Sequence, residues 1–139
     1  MNLQRSEKDI QAGIVSVLKA HGILAFRMNT GAMRGNHKGK PWYVRFGFPG
    51  TADILAFPQI ETRIRLAPGS NPATVWIRLT TILWIECKRP GEKQEPDQEH
   101  FQLIVEQAGH TYLVGHSPQE VLDWIEARRK AAKGESCPR

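Results

Sequence analysis

Asp53, Glu86 and Lys88 are the residues of this chain whose types and spacing most plainly suggest chemistry. Residues two apart share one face of a β-strand. Residues 82–88, Ile82-Leu-Trp-Ile-Glu-Cys-Lys88, read as a mostly apolar strand ending in charge. Trp84, Glu86 and Lys88 then point one way, and Leu83, Ile85 and Cys87 the other. A carboxylate and an ammonium stand side by side at the strand's end. Asp53 opens another strand, residues 53–57, directly after Phe48-Pro-Gly-Thr-Ala52. If the two strands are neighbours, Asp53 and Glu86 converge. Two carboxylates with a backbone carbonyl and waters form the hard, oxygen-only site that Mg²⁺ prefers, and a nearby lysine can orient a water or help deprotonate it. The plainer alternative is a Glu–Lys pair on a wet sheet face, with Asp53 as a turn residue.

Two more polar residues fit the first set. Glu7 is in helical register with Ile10, Gln11 and Ile14, so its carboxylate borders the face that packs on a sheet. Its competing role is to complement the helix dipole in the first turn, worth a few tenths of a kcal/mol. Gln98 heads the stripe Phe101, Val105 and Ala108, and the Arg89-Pro-Gly-Glu-Lys loop after Lys88 can deliver it beside the strand end.

The elements that must position these side chains follow from pattern. Ser6-Glu-Lys-Asp9 is a helix start with serine as N-cap. Ile10, Ile14, Val17 and Leu18 give that helix its apolar stripe, and Gly22 stops it. Residues 23–28 alternate as a strand. Residues 30–40 carry Gly31, Gly35 and Gly39 with little apolar content and read as a mobile loop. Trp42, Val44 and Phe46 alternate with Tyr43 and Arg45 as a second strand, before the one that Asp53 opens. Ile60, Thr62, Ile64 and Leu66, then a Pro68-Gly-Ser-Asn-Pro72 turn, then residues 75–81, read as a hairpin with one wet face. Residues 96–108 form a second helix, with Phe101, Ile104, Val105 and Ala108 on one stripe. Residues 111–115 are a short strand. Ser117-Pro-Gln-Glu120 is a capping box that starts a last helix with Val121, Leu122 and Ile125 inward and Arg128, Arg129 and Lys130 at its end. The order is that of a mixed sheet flanked by helices.

Composition limits the setting. A chain of 139 residues is one domain with a core of its own. No apolar run approaches the length that crosses a bilayer, and residues 1–10 are too polar for a signal peptide, so the expected location is the cytoplasm, with no membrane partner. Cys87 sits in an apolar strand and Cys137 in a polar tail, which argues against a disulfide framework. Net charge is +5. Residues 10–52 hold Lys19, Arg27, Arg34, Lys38, Lys40 and Arg45 and no Asp or Glu, a one-sign stretch that eases approach to a polyanion. None of the five histidines shows ligand spacing.

Taken together, Glu7-Lys-Asp-Ile-Gln11, Phe26-Arg-Met-Asn-Thr-Gly31, Gly47-Phe-Pro-Gly-Thr-Ala-Asp-Ile-Leu55, Ile85-Glu-Cys-Lys-Arg-Pro-Gly91, Gln98-Glu-His-Phe101 and Ala108-Gly-His-Thr-Tyr-Leu-Val114 resemble the VRR-NUC family of the PD-(D/E)XK nuclease superfamily. The resemblance implies an α/β, restriction-endonuclease-like fold, a mixed β-sheet flanked by helices in the order α-β-β-β-α-β-α. The domain would span residues 1–130, with an inserted hairpin at about 59–81 and a flexible basic tail at 131–139. By the same resemblance Asp53, Glu86 and the Cys87 carbonyl hold Mg²⁺, with Mn²⁺ able to substitute. Lys88 positions the attacking water, Gln98 supports the site and Glu7 is the acidic residue of the first helix. Arg27, Asn29, Arg34, His37, Lys38, Lys40 and Arg45 are the candidates for DNA contact. Ala52 stands where the superfamily name has proline, a departure that Pro49-Gly50 absorbs because the turn is already set.

The expected activity is hydrolysis of DNA phosphodiesters to a 5′-phosphate product. The expected arrangement is a homodimer acting on branched DNA such as Holliday junctions, with the 60–81 hairpin, Trp42, Trp76 and Ile77 as interface candidates. A binding module with a dormant site is the alternative, because the basic region and four tryptophans would suffice for it. A structural partner of other nucleases is a third reading.

Overall fold

The computed structural model describes residues 5–28 and 31–134. Helix α1 (Glu7–Ala20) starts at Ser6, whose side chain accepts from the Asp9 N–H while the Asp9 carboxylate accepts from the Ser6 N–H. Strands β1 (Leu24–Arg27), β4 (Ile54–Phe57), β7 (Leu83–Cys87) and β8 (Thr111–Gly115) form the central sheet in the order β1-β4-β7-β8. The first two junctions are antiparallel and β7–β8 is parallel. A parallel pair needs a crossover, and α2 (Pro96–Gln107) supplies it. Helix α3 (Pro118–Ala132) follows β8.

Strand alternation divides the core between the two sheet faces. Ile54, Ala56, Leu83, Ile85 and Cys87 meet Ile10, Ile14 and Leu18 of α1 and Val121 and Ile125 of α3. On the opposite face a smaller cluster joins Ala52 and Tyr112 to Phe101 and Val105 of α2, with Trp84 packed against it. The Trp84 and Phe101 rings meet edge-on with centroids 5.1 Å apart. The alternation read from residues 82–88 is therefore the one observed.

Two hairpins stand outside the central sheet. Among the described residues, strands β2 (Gly31–His37) and β3 (Lys40–Phe46) pair only with each other, as do β5 (Gln59–Arg65) and β6 (Thr74–Thr80). Chain direction puts them at opposite ends. Arg27 of β1 pairs with Ile54 and Leu24 with Phe57, so β2 and β3 spring from the end where β4 begins. Strands β5 and β6 leave and return at the other end.

Several expectations need correction. Residues 31–37, read as loop, are strand β2, and residues 40–46 belong to this separate ribbon instead of the central sheet. Glycine-rich sequence gives no burial pattern here because the ribbon has no core to face. Its pairing is local: the Trp42 ring lies over Gly35, where a Cβ would come within 2.3 Å of it. Asp53 precedes β4 and is not its first residue. On α2 only Phe101 and Val105 are buried, while Ile104 and Ala108 are exposed, because the helix covers just one end of the sheet. Ser117 caps α3, but the Glu120 carboxylate binds the His116 N–H, so the reciprocal half of a capping box is missing. Helix α3 runs through Ala132, past the expected boundary at 130. Residues 135–139 of the expected tail lie outside the described residues.

Candidate active site

The first end of the sheet gathers chemistry-bearing side chains from four elements. Asp53, in the approach to β4, has one carboxylate oxygen accepting from the Cys87 N–H at 2.8 Å. That bond ties the start of β4 to the end of β7 and places Asp53 beside Glu86. The Gln11 side-chain amide, buried on α1, reaches both the Asp53 carbonyl and its other carboxylate oxygen at 3.3 Å. Glu86 is almost wholly buried. One of its oxygens accepts from the Gln98 amide, and the Lys88 ammonium lies 3.6 Å from the same oxygen. Lys88 Nζ is also 3.8 Å from the half-exposed Glu7 carboxylate.

Local sequence explains the convergence. Pro49-Gly50 turns the chain, with Gly50 at φ +73°, so tightly that a Cβ there would sit 2.0 Å from the Asp97 carbonyl oxygen. Only glycine permits both that backbone conformation and that contact. The turn before Asp53 is thereby clamped to the first turn of α2, where Gln98 is the third residue. Gln98 also accepts from the Glu95 N–H, which fixes its amide to point its donor at Glu86.

Electrostatics single out Glu86. Burial first, and then the Asp53 charge, push its carboxyl up to about 8 despite the opposing pull of Lys88. The Glu7 carboxyl is raised by partial burial and by neighbouring Glu92. Arg89 holds Glu92 itself down to about 2. Burial raises the Cys87 thiol, so this cysteine is a thiol and not a reactive thiolate.

The second Glu86 oxygen, Oε2, is buried with no hydrogen-bond partner among the described residues. An unpaired buried acceptor costs about 1–3 kcal/mol, more for a charged group. A divalent cation between Asp53 and Glu86 would satisfy it, so the residues present fit a metal. No three His, Cys, Asp or Glu side chains form a metal-ligand group among the described residues. A two-carboxylate set is the kind that leaves Mg²⁺ most of its positions for water and substrate phosphate.

Asp53, Glu86, Cys87, Lys88, Gln98 and Glu7 are thus brought together. Gln11 was missed as a member; its signal was a polar side chain one helical turn from Glu7 on an otherwise apolar stripe. Tyr112 was missed as well: buried one strand over, it takes a hydrogen bond from Gln94 at 3.2 Å and walls the site beside Glu86. The DNA-contact candidates are spread over β1 and the ribbon, from its base at Arg45 to its tip at His37, Lys38 and Lys40. Arg27 ends β1 at this pole. Arg34 and Arg45 share one ribbon face with Tyr43, while His37 and Lys40 share the other. Lys38 sits in the connecting turn. Asn29 lies outside the described residues. A cleft of about 260 Å³ between Tyr43, Arg45, Phe48, Pro49 and Asp97 joins the Arg34 face of the ribbon to α2.

Comparison with known proteins returns no match: no family model, no curated protein and no solved structure. Function has to be read from the side chains themselves.

Proposed function

We propose that this chain is a divalent-metal-dependent endonuclease of the VRR-NUC kind, with a restriction-endonuclease-like fold, that hydrolyses DNA phosphodiesters. The observation that carries the reading is the pairing of Asp53 and Glu86 beside Lys88, with a buried Glu86 oxygen left without a protein partner. Asp53, Glu86 and the Cys87 carbonyl would hold Mg²⁺ or Mn²⁺. Bound there, the ion supplies Lewis-acid neutralisation of the charge that develops on the phosphoryl oxygens.

The chain's own residues do the rest. Gln11 and the Cys87 N–H fix the Asp53 carboxylate, and Gln98 fixes Glu86. The Lys88 ammonium, held between Glu86 and Glu7, donates to the attacking water and orients it. Attack forms the new P–O bond and breaks the bond to O3′; the water's proton passes to solvent and O3′ takes one from solvent, leaving a 5′-phosphate and a 3′-hydroxyl. The Arg34 and Arg45 face of the ribbon holds the strand through its phosphates.

One domain offers one such site, and cutting both strands of a branched DNA, such as a Holliday junction, needs two. A two-fold dimer supplies them in opposed orientation. Leu24 and Phe26, more than half or half exposed beside the free edge of β1, offer an apolar surface for it. A buried free thiol at Cys87 fits a reducing cytoplasm, and among the described residues no helix is long and apolar enough to cross a membrane.

The test is a Mg²⁺ and Mn²⁺ titration of plasmid nicking by the unaltered protein. Metal-dependent nicking with EDTA-reversible loss supports the reading. DNA binding without nicking at any metal concentration would favour the dormant binding module instead.

A further inference from the structure

The opposite end of the sheet is also built for a polyanion. Strand β5 packs along α3, where the Thr62 hydroxyl donates to the Ala132 carbonyl at 3.1 Å and the Arg129 guanidinium donates to the Gln59 carbonyl at 3.0 Å. Between them runs a cleft of about 530 Å³, continued by one of about 450 Å³ beside Trp76. The cations lining the two are Arg63, Arg78, Arg129, Lys130 and Lys133, against the carboxylates Glu61 and Glu126. Both carboxylates are already paired, Glu61 with Arg78 and Glu126 with Arg129, each at 3.0 Å. Arg63, Lys130 and Lys133 are left with no carboxylate partner among the described residues. The Arg63 guanidinium lies over the Trp76 ring, 4.7 Å from its centroid, and Trp76 as a residue is 52 % exposed.

Unpaired ammonium groups along a groove attract phosphates. An exposed indole braced by arginine is a platform for an unstacked base. A folded acidic protein would satisfy the charges but would leave the indole without a planar partner. We infer that the β5–β6 hairpin and the C-terminal half of α3 form a second nucleic-acid-binding surface, which takes a single-stranded DNA segment with its phosphates on Lys130 and Lys133 and a base on Trp76. It rests on the reading that DNA is the substrate, but not on the chemistry of the catalytic end. Strand β4 separates the two surfaces by roughly 13 Å at about 3.3 Å per residue, so a strand held at one is distinct from the bond cut at the other.

The experiment is fluorescence anisotropy of an oligothymidylate with the full chain in EDTA, across a salt series, with thermal melting to verify folding. Lys130→Gln with Lys133→Gln should lower the slope of log K against log salt by about 1.4, at roughly 0.7 per phosphate contact on single strands. Trp76→Ala should weaken binding by about fivefold or more, from the loss of one base stack. Nicking of a linear duplex in Mg²⁺ should be unchanged in both variants. An unaltered salt slope in the lysine variant, or unaltered affinity in Trp76→Ala, would overturn the inference while leaving the cleavage reading intact. Loss of nicking by the unaltered protein, with these binding effects retained, would do the reverse.

Discussion

The two hairpins are built from strands of equal length and do opposite things with their faces. The β2–β3 ribbon carries Arg34, Lys38, Lys40 and Arg45 with no carboxylate. A cleft at its base is shared with the Pro49-Gly50 turn. The β5–β6 hairpin mixes Glu61 with its arginines and is bound to α3 by side-chain-to-carbonyl hydrogen bonds. A strand pair that docks on a helix needs internal charge compensation, because its cations stand near one another and near those of α3. A ribbon that stands in solvent can keep one sign. The first is therefore suited to follow a polyanion into the catalytic end, and the second to hold a fixed surface.

The largest effect should come from breaking the joint at the catalytic end. Gly50→Ala forces a Cβ into the Asp97 backbone and a left-handed φ on alanine, costing about 2 kcal/mol or more. Helix α2 must shift, and Gln98 with it, so cleavage should fall to near background. Thermal melting and a nicking assay read the two consequences. Gly69, at the tip of the distal hairpin with open space around it, should accept alanine with unchanged cleavage, at no more than the cost of its positive φ.

Next comes a pH dependence to which Glu86 is the largest contributor. Its folded-state value of about 8 is above the ordinary carboxylate value of 4.5. The native state therefore holds a proton that the unfolded chain has lost. The stabilisation is fully present below about 4.5 and is lost as pH rises toward 8. In EDTA, unfolding free energy should fall by an order of a few kcal/mol across that window. Glu86→Gln should flatten the profile, and Mg²⁺ should restore stability at the high end by binding the native state. Denaturant melts at a series of pH values would contradict this if the parent and Glu86→Gln gave parallel profiles.

The smallest effect sharpens the division within the ribbon. Arg34 and Arg45 share the face that adjoins the cleft to α2; Lys40 does not. Arg34→Ala with Arg45→Ala should cut duplex affinity several-fold and lower the salt slope by about 1.8, at roughly 0.9 per contact. Lys40→Ala should do less than half of that. A Lys40→Ala loss of half the double variant's, the share of one charge in two, would show that only net charge matters.

Much of this was legible in sequence where burial imposes a period. The alternation of residues 83–88 put Glu86 and Lys88 on one face because the intervening residues are core. The Ser6–Asp9 box fixed where α1 starts, and hence where Glu7 and Gln11 point. What escaped had no core to impress a pattern on it. Strand β2 is glycine-rich because it is fixed by a partner strand in solvent. Gln11 was passed over because its worth depends on Asp53, 42 residues away in sequence, and a lone amide on an apolar stripe does not announce its partner. The reach of α2, short of covering Leu24 and Phe26, depends on how the crossover lands and not on its stripe.

The proposed function requires that Asp53 and Glu86 act as one metal-dependent centre for cutting DNA. Plasmid nicking in Mg²⁺ by the parent, Asp53→Ala and Glu86→Ala, each with anisotropy to establish retained DNA binding, tests it most directly. The parent should nick, and both variants should bind DNA but leave the plasmid supercoiled. Parental nicking by Glu86→Ala would contradict it.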